Sequence, residues 1–352
     1  MLGIPDDTLN GLRGSFEGRS CAVTGGAGFI GGHLCAALVS LGARVAVIDD
    51  LSNSTMDAIG PLLVGEDSTS AGRLRFVRGS ILDDDALSDA VEDASAVFHI
   101  AAMCSVPRSI EHPERAWAVN TTGTLRTLLA ARAAGARRVI YSASSSAYGN
   151  TPGLPKSESE TPAPISPYGA SKLAGEHLCA AFAESYGLST VSLRYFNVFG
   201  PRQRADSPYA GVIPSFAARI LAGEEPRIFG DGMQSRDFTF VGNVVLANLL
   251  AASSERGLAG EVYNIAAGSR LTVQELAERM IAHLADGPLE PEHAPQRPGD
   301  VLHSQADISR AERELGYGPV VPFEEGLERT VGWYREAMAD AAAEEIDGGD
   351  ER

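Results

Sequence analysis

Three groups of residues in this 352-residue chain have types and spacings suited to chemistry. The first is Thr24-Gly25-Gly26-Ala27-Gly28-Phe29-Ile30-Gly31, with glycines at 25, 28 and 31 in the pattern G-x-x-G-x-x-G. Glycine serves three needs in such a turn: a tight bend, close approach of the backbone to a pyrophosphate, and close packing of helix on strand. Free N–H groups at the following helix N-terminus, with the positive end of its dipole, hold the phosphates. The second is Asp49, an acidic residue at the end of the next strand pattern. A carboxylate there accepts hydrogen bonds from an adenosine ribose and repels a 2′-phosphate, and no Arg or Lys follows within 50–59 to offset it. NAD is therefore favoured over NADP. The third is Tyr168 and Lys172 in Ser166-Pro-Tyr-Gly-Ala-Ser-Lys172, four apart and so on one helix face. A free phenol has a pKa of about 10, so a tyrosine base at neutral pH needs a shift of roughly three units, near 4 kcal/mol. A neighbouring ammonium and a positively charged nicotinamide ring supply such a shift. Upstream, Ser142-Ala-Ser144-Ser145-Ser146 offers hydroxyls to share the reacting proton.

These groups need a scaffold that presents strand ends to a ligand. Short β-branched runs at 20–24, 44–49, 74–78, 96–101, 138–142 and 190–194 alternate with helical patterns such as 32–41 and 119–134. The alternation predicts an α/β fold of the Rossmann type, a doubly wound parallel sheet that binds ligands at its strand carboxyl ends. The polar stretch 65–72 reads as a surface loop. From about residue 198, Gly and Pro punctuate more often, and short helices at 244–252 and 273–284 suggest a smaller irregular α/β lobe closing over a cleft. The division is a mainly dinucleotide-binding domain over 18–197, a mainly substrate-binding lobe over 198–335, and an acidic tail, 336–352, rich in Ala, Asp, Glu and Gly and read as disordered.

The composition excludes several classes. No apolar run reaches the roughly 20 residues needed to span a bilayer, and residues 1–20 have no apolar core of a signal peptide, so the chain reads as cytoplasmic. A formal net charge of -17 disfavours nucleic acid and anionic membranes as partners. Cys21, Cys35, Cys104 and Cys179 are scattered with no C-x-x-C pair, which argues against a disulfide framework and a structural zinc site; no metal is expected.

Taken together, the motifs and their order resemble the extended short-chain dehydrogenase/reductases, and within them the UDP-hexose 4-epimerases, over about residues 18 to 335. The resemblance implies NAD as cofactor, a UDP-sugar as substrate, and inversion at C4 through a transient 4-keto sugar. It makes Ser144 and Tyr168 the proton-handling pair, and Lys172 the lysine that binds the nicotinamide ribose and lowers the tyrosine pKa. Cofactor contacts would come from Gly25, Gly28, Phe29, Ile30, Gly31, Asp49, Asn53, Ser80, Ile81, Ala101, Ala102, Tyr168, Lys172 and Tyr195. Asn197 matches a diphosphate-binding residue, and Arg236 and Arg297 match arginines on the UDP phosphates, whose planar forks suit phosphate oxygens. Ser105, Ser144, Ser145, Gly211, Val212 and Ser304 complete the substrate side. Helices near 122–134 and 168–184 would pair with a second copy in a four-helix bundle, giving a homodimer.

Details narrow the resemblance toward bacterial UDP-N-acetylglucosamine 4-epimerases: Ser105-Val-Pro-Arg-Ser-Ile110, Pro152-Gly-Leu-Pro-Lys156, Gly299-Asp-Val-Leu-His-Ser304 and the extension before the first strand. Ser304 aligns with a gatekeeper that is a bulky tyrosine in epimerases restricted to non-acetylated sugars, and a small residue leaves room for a 2-acetamido group. Gly211 likewise suggests a roomier pocket. Ser80 stands where an Asp commonly contacts adenine, with Asp83 nearby, and Cys104 reads as a half-buried packing thiol near the sugar. A 4,6-dehydratase would need an Asp-Glu pair, and a decarboxylating synthase a Glu, where this chain has Ser145-Ser146. A UDP-glucuronate 4-epimerase stays open, as does a non-catalytic NAD-binding sensor, against which the intact Ser/Tyr/Lys set counts.

Overall fold

The structure, a computed structural model, describes residues 2–64, 72–205, 210–296 and 301–347. The expected surface loop at 65–72 lies almost wholly outside the described residues, as does Arg297.

The N-terminal half carries strands β1 (Ser20–Thr24), β2 (Arg44–Asp49), β3 (Leu74–Arg78), β4 (Ala96–His99), β5 (Arg138–Ser144) and β6 (Ser189–Tyr195). Its helices are α1 (Asp6–Phe16), α2 (Phe29–Ser40), α3 (Gly60–Val64), α4 (Asp84–Val91), α5 (Val106–Glu111), α6 (Pro113–Trp117), α7 (Gly123–Ala133) and α8 (Pro167–Tyr186). Beyond these come two-residue and three-residue strands β7 (Val198–Phe199), β8 (Arg227–Phe229), β9 (Ser235–Arg236) and β10 (Thr239–Phe240), then β11 (Ala259–Ile265), β12 (Leu271–Thr272) and β13 (Glu292–Ala294). They are accompanied by α9 (Val212–Leu221), α10 (Val241–Ser253), α11 (Val273–Leu284), α12 (Ser309–Leu315) and α13 (Phe323–Asp347).

Seven parallel strands form the main sheet in the order β11-β6-β5-β4-β1-β2-β3. The order reverses between β1 and β4, which is where doubly wound sheets open a crevice at their strand carboxyl ends. Every residue of β5 is buried, as expected of a central parallel strand covered on both faces. Successive residues turn to opposite helix layers: Ile140 joins Val23 and Leu34 on the α2/α10 side, while Val139 and Tyr141 join Leu87, Leu128 and Phe182 on the α4/α7/α8 side. A separate apolar cluster, including Phe199, Phe216, Phe240, Leu276 and Tyr334, holds the smaller lobe together.

All six expected strands are present, with β4 shorter and β5 and β6 longer than read. The seventh, β11, was not anticipated: it returns from the far side of the smaller lobe to pair with β6, through an irregularity between Ala259 and Glu261. The single helical pattern expected at 119–134 divides into a π-helical turn, Ala118–Thr122, and α7. The disordered tail expected from residue 336 is corrected in part. α13 continues through Asp347, because Ala-Met-Ala-Asp-Ala-Ala-Ala-Glu-Glu is made of strong helix formers with no Gly or Pro.

Candidate active site

The glycine turn lies between β1 and α2, at the carboxyl edge of the sheet. Gly25 has φ +69°, and a Cβ there would sit 2.7 Å from the Ala101 backbone. A Cβ on Gly31 would come within 2.1 Å of the Gly25 carbonyl oxygen, so packing of helix on turn demands that glycine. Gly28 is different. Its Cβ would meet only the Gly25 oxygen, at 3.3 Å, so it leaves a cradle open on its outer side. It is also the N-cap of α2 and offers no side chain to the first-turn amides of Phe29 and Ile30. Asp49, at the end of β2, ties this turn to the next loop: Oδ2 accepts from Ala27 N at 3.1 Å, and Oδ1 from Leu51 N at 2.9 Å and Ser54 Oγ at 2.8 Å. An open amide cradle beside a strand-end carboxylate fits a dinucleotide. Asn53 is exposed on the loop after β2.

Ser80 and Ile81 follow β3. Ser80 Oγ accepts from Leu82 N at 3.2 Å, and Ile81 is buried against Gly123. Asp83 is occupied as the N-cap of α4, accepting from Asp85 N and Ala86 N, so its carboxylate is turned to the helix. Ala101 and Ala102 line the exit of β4, with Ala101 N donating to Thr24 Oγ1 at 3.2 Å. Tyr195 points its hydroxyl at Asn248 of α10, 2.8 Å from Nδ2.

Ser166 caps α8, accepting from Gly169 N at 3.1 Å, and Pro167 starts the first turn, so Tyr168 is held at a rigid helix entrance. Its own amide donates to Ser109 Oγ at 3.1 Å. Burial pushes the phenol above its usual range and Cys104 adds to that, while the nearby hydroxyl of Ser144, the last residue of β5, acts in the opposite direction. Lys172 follows one turn later, 1% exposed, its Nζ 4.6 Å from the centroid of the Tyr141 ring. Burial pushes this amine down to about 8, against the opposing effects of Cys104 and Glu176. Ser145 opens the turn after β5. The structure therefore brings Ser144, Tyr168 and Lys172 to the carboxyl end of β5 and the start of α8, with β4 between them and the glycine turn's strand.

The smaller lobe faces them. Asn197 sits just after β6 at φ +31°, a left-handed bend that Asn accepts more readily than most residues, and its Nδ2 donates to the Asp237 carbonyl at 3.2 Å. Arg236, on β9, reaches the carbonyls of Ser235 and Leu302 through Nη1 at 3.0 and 3.1 Å. Ser304 is buried, its amide donating to Ser235 O at 3.0 Å. Beside them lies a cleft of ≈ 290 Å³ lined by Phe229, Gly230, Gln234, Gln296, Val301 and Leu302. Gly211 caps α9 and Val212 begins it; a Cβ on Gly211 would find ordinary space, so backbone geometry does not require glycine there. Ser105 is the N-cap of α5, its Oγ accepting from Arg108 N at 3.2 Å.

Cys104 corrects the sequence reading. It is exposed rather than half-buried, since it lies on the loop beyond the carboxyl end of β4, close enough to act on both Tyr168 and Lys172. Four residues escaped the motif search. Asp237 is fully buried beside Arg236, with Oδ1 accepting from Ala267 N at 3.0 Å and Oδ2 from Ala306 N at 3.1 Å; burial raises it to about 7. His33 of α2 is hydrogen-bonded with Pro201 O at 2.9 Å, and His99 bridges Thr24 and Thr124; burial pushes them down to about 4 and about 3. Glu176 continues the Tyr168–Lys172 row by one more turn, a spacing of four that the sequence displayed.

Among the described residues no group of His, Cys, Asp and Glu side chains is placed to hold a metal, and no helix is long and apolar enough to cross a membrane. The sequence pattern of the NAD dependent epimerase/dehydratase family matches residues 21–266. A UDP-glucose 4-epimerase of Mycolicibacterium smegmatis is 37% identical over 315 residues, covering 89% of this chain and 97% of the relative. A dTDP-glucose 4,6-dehydratase of Streptomyces niveus is 34% identical over 90% of this chain and 93% of its own length. Among solved structures, UDP-N-acetylglucosamine 4-epimerase from Methanobrevibacter ruminantium in complex with UDP-N-acetylmuramic acid superimposes with a TM-score of 0.84 at 39% identity, covering 91% of this chain and 99% of that one.

Proposed function

The chain belongs to the NAD dependent epimerase/dehydratase family, and we propose that it interconverts C4 epimers of a UDP-sugar through a transient 4-keto intermediate. The observation that carries the reading is the placing of Ser144 at the end of β5 beside the buried Tyr168 phenol, with Lys172 one turn along α8, in a site with no carboxylate at Ser145-Ser146. Dehydration would need an acid/base pair at the latter position.

Bound NAD supplies reversible hydride acceptance at the sugar C4. Gly28 and the first turn of α2 cradle its pyrophosphate, and Asp49 takes the adenosine ribose. Tyr168 removes the proton of the C4 hydroxyl and later returns one, Ser144 shares that proton, and the Lys172 ammonium favours the phenolate against the burial that disfavours it. Asn197, Arg236 and Arg297 hold the diphosphate, with charge-assisted bonds from the guanidiniums, while the sugar turns over between its two faces. The cleft at Phe229 and Leu302 is roomy enough for the nucleoside end.

Ser304 and Gly211 support an N-acetylhexosamine substrate, UDP-GlcNAc/UDP-GalNAc, with UDP-glucose and UDP-galactose also admitted by the larger pocket. Trp117, Leu129 and Tyr186, exposed at the ends and outer faces of α6, α7 and α8, support pairing with a second copy. The purified protein is to be incubated separately with UDP-GlcNAc and UDP-galactose, with the C4 epimers followed by NMR. Appearance of UDP-GalNAc supports the reading. Brisk conversion of UDP-galactose beside negligible conversion of UDP-GlcNAc rejects the pocket argument, and no epimer from either rejects the activity.

A further inference from the structure

Tyr168, Lys172 and Glu176 follow one another at intervals of four on α8, so their side chains stand in one row. The chemistry above uses the first two and leaves the third unexplained. Glu176 is only 3% exposed, and its two carboxylate oxygens accept from Arg194 Nε at 2.9 Å and Nη2 at 2.7 Å, a bidentate fork. Arg194, on β6, is equally buried. Its guanidinium lies 4.5 Å from the centroid of the Tyr148 ring, and its Nη1 is buried with no hydrogen-bond partner among the described residues. Withdrawing two charges from water into such a place commonly costs as much as their attraction returns, and apolar residues of similar volume do as well or better for stability. A pair retained here, with one donor left unsatisfied, calls for a role besides packing.

The neighbours of Lys172 indicate that role. From β5 comes Tyr141, held neutral by a phenol pushed far above its usual range. From β4 comes His99, neutral because burial and the Lys172 charge both act against its protonation. Cys104 reaches it from the loop after β4, and α8 itself contributes Tyr168, Cys179 and Glu176. The Cys179 thiol is pushed up to about 12 by burial and stays protonated. Glu176, clamped by a guanidinium from β6, is thus the carboxylate of this set.

We propose that Glu176, oriented by Arg194, is a positioning residue that keeps Lys172 in its ammonium form at working pH, preserving the charge on which Tyr168 depends. The inference rests on the reading of Tyr168 and Lys172 as the proton-handling pair. It accounts for the bidentate geometry, because a fork fixes the carboxylate rotamer in the row instead of letting it turn toward another donor. It also agrees with the direction found at Lys172, where the carboxylate opposes the downward push of burial.

The sequence offers an unusually clean test. The chain has only two lysines, Lys156 and Lys172, so NAD-loaded protein with isotope-labelled lysine side chains gives two NMR signals, assigned with Lys172→Arg. Glu176→Gln removes the carboxylate and leaves the guanidinium. The Lys172 titration midpoint is expected to fall by about 1–2 pH units, the alkaline limb of the epimerisation rate to move with it, and Lys156 to stay in place. Removing both charges in Glu176→Gln/Arg194→Met should leave the midpoint below that of the parent, though above that of Glu176→Gln. Should Glu176→Gln fail to fold, the paired variant, which leaves no buried charge unpaired, carries the test. An unmoved Lys172 signal in Glu176→Gln, or a paired variant with the parent midpoint, overturns the proposal. Because the lysine signal needs no substrate, a shifted midpoint in a protein that epimerises nothing counts against the proposed activity alone. Normal epimerisation with an unmoved lysine counts against Glu176 alone.

Discussion

The two walls of the cleft are built differently. Ser144, Tyr168 and Lys172 stand on a seven-residue, wholly buried strand and a twenty-residue helix, elements whose many cooperative hydrogen bonds leave each side chain little freedom. Opposite them, Asn197, Arg236 and Ser304 hang on two-residue ladders and a single bridge between Ser235 and His303. What gathers that wall is one buried carboxylate, Asp237, which accepts backbone amides from the 267 and 306 segments while its own carbonyl takes Asn197. On the proposed reading, reaction chemistry sits on rigid regular structure. On the same reading, recognition sits on short segments that can be reshaped without disturbing the sheet.

The hardest blow to this contrast falls on the first wall. Tyr168→Phe is expected to lower kcat about a thousandfold while NAD content and melting temperature hold, read by NMR of the epimers and by cofactor absorbance. Next comes the cofactor turn. Gly25→Ala forces a side chain into a left-handed bend, about 1–2 kcal/mol from conformation alone, and drives its Cβ into the Ala101 backbone; the protein should purify with little NAD. On the second wall, Ser304→Tyr should lower UDP-GlcNAc turnover about 10- to 200-fold and leave UDP-galactose turnover within a few-fold. Equal losses on both sugars would show that this wall is as rigid as the first.

The smallest effects are in the pH dependence of stability, where the walls carry opposite signs. His33, behind the cofactor turn, has a folded pKa lowered to about 4 from 6.5. The unfolded chain takes up that proton first, so the stability is present above about 6.5 and is lost as pH falls through about 4. Asp237 has a folded pKa raised to about 7 from 3.8. Here the folded state holds the proton more tightly, so its contribution is present below about 4 and is lost as pH rises through about 7. His33→Gln should flatten the acid side of the plot of melting temperature against pH, and Asp237→Asn the side approaching neutrality, each by about 2–4 °C. The same slope in parent and variant would remove the group concerned from the account.

Much of the first wall was legible in the chain. Gly25, Gly28 and Gly31, Asp49, and the Tyr168–Lys172 spacing are local patterns whose geometry follows from a single turn or helix. The second wall was legible only through resemblance, because Arg236 and Ser304 are neighbours solely through pairings of distant short segments. Asp237 was passed over because burial, which raises it, is a property of the fold. β11 hid in a weakly patterned stretch, Ala-Gly-Glu-Val-Tyr-Asn-Ile, whose partner lies far back in the chain at β6. Glu176 could have been found by extending the interval of four once more along α8. Its partner Arg194, on another element, could not.

That late strand has a consequence for biosynthesis. A nascent chain released from the ribosome through β6 still bears an open sheet border, with the N–H and C=O groups of Ser189–Tyr195 awaiting Ala259–Ile265. Six of those seven residues are buried in the finished protein, so a fragment ending at residue 197 would expose a seven-residue margin of unpaired backbone groups of the kind that recruits other chains. A fragment carrying only the first six strands is therefore expected to aggregate unless the β11 segment is supplied, and a chaperone's period of attendance should extend until the returning strand has been translated.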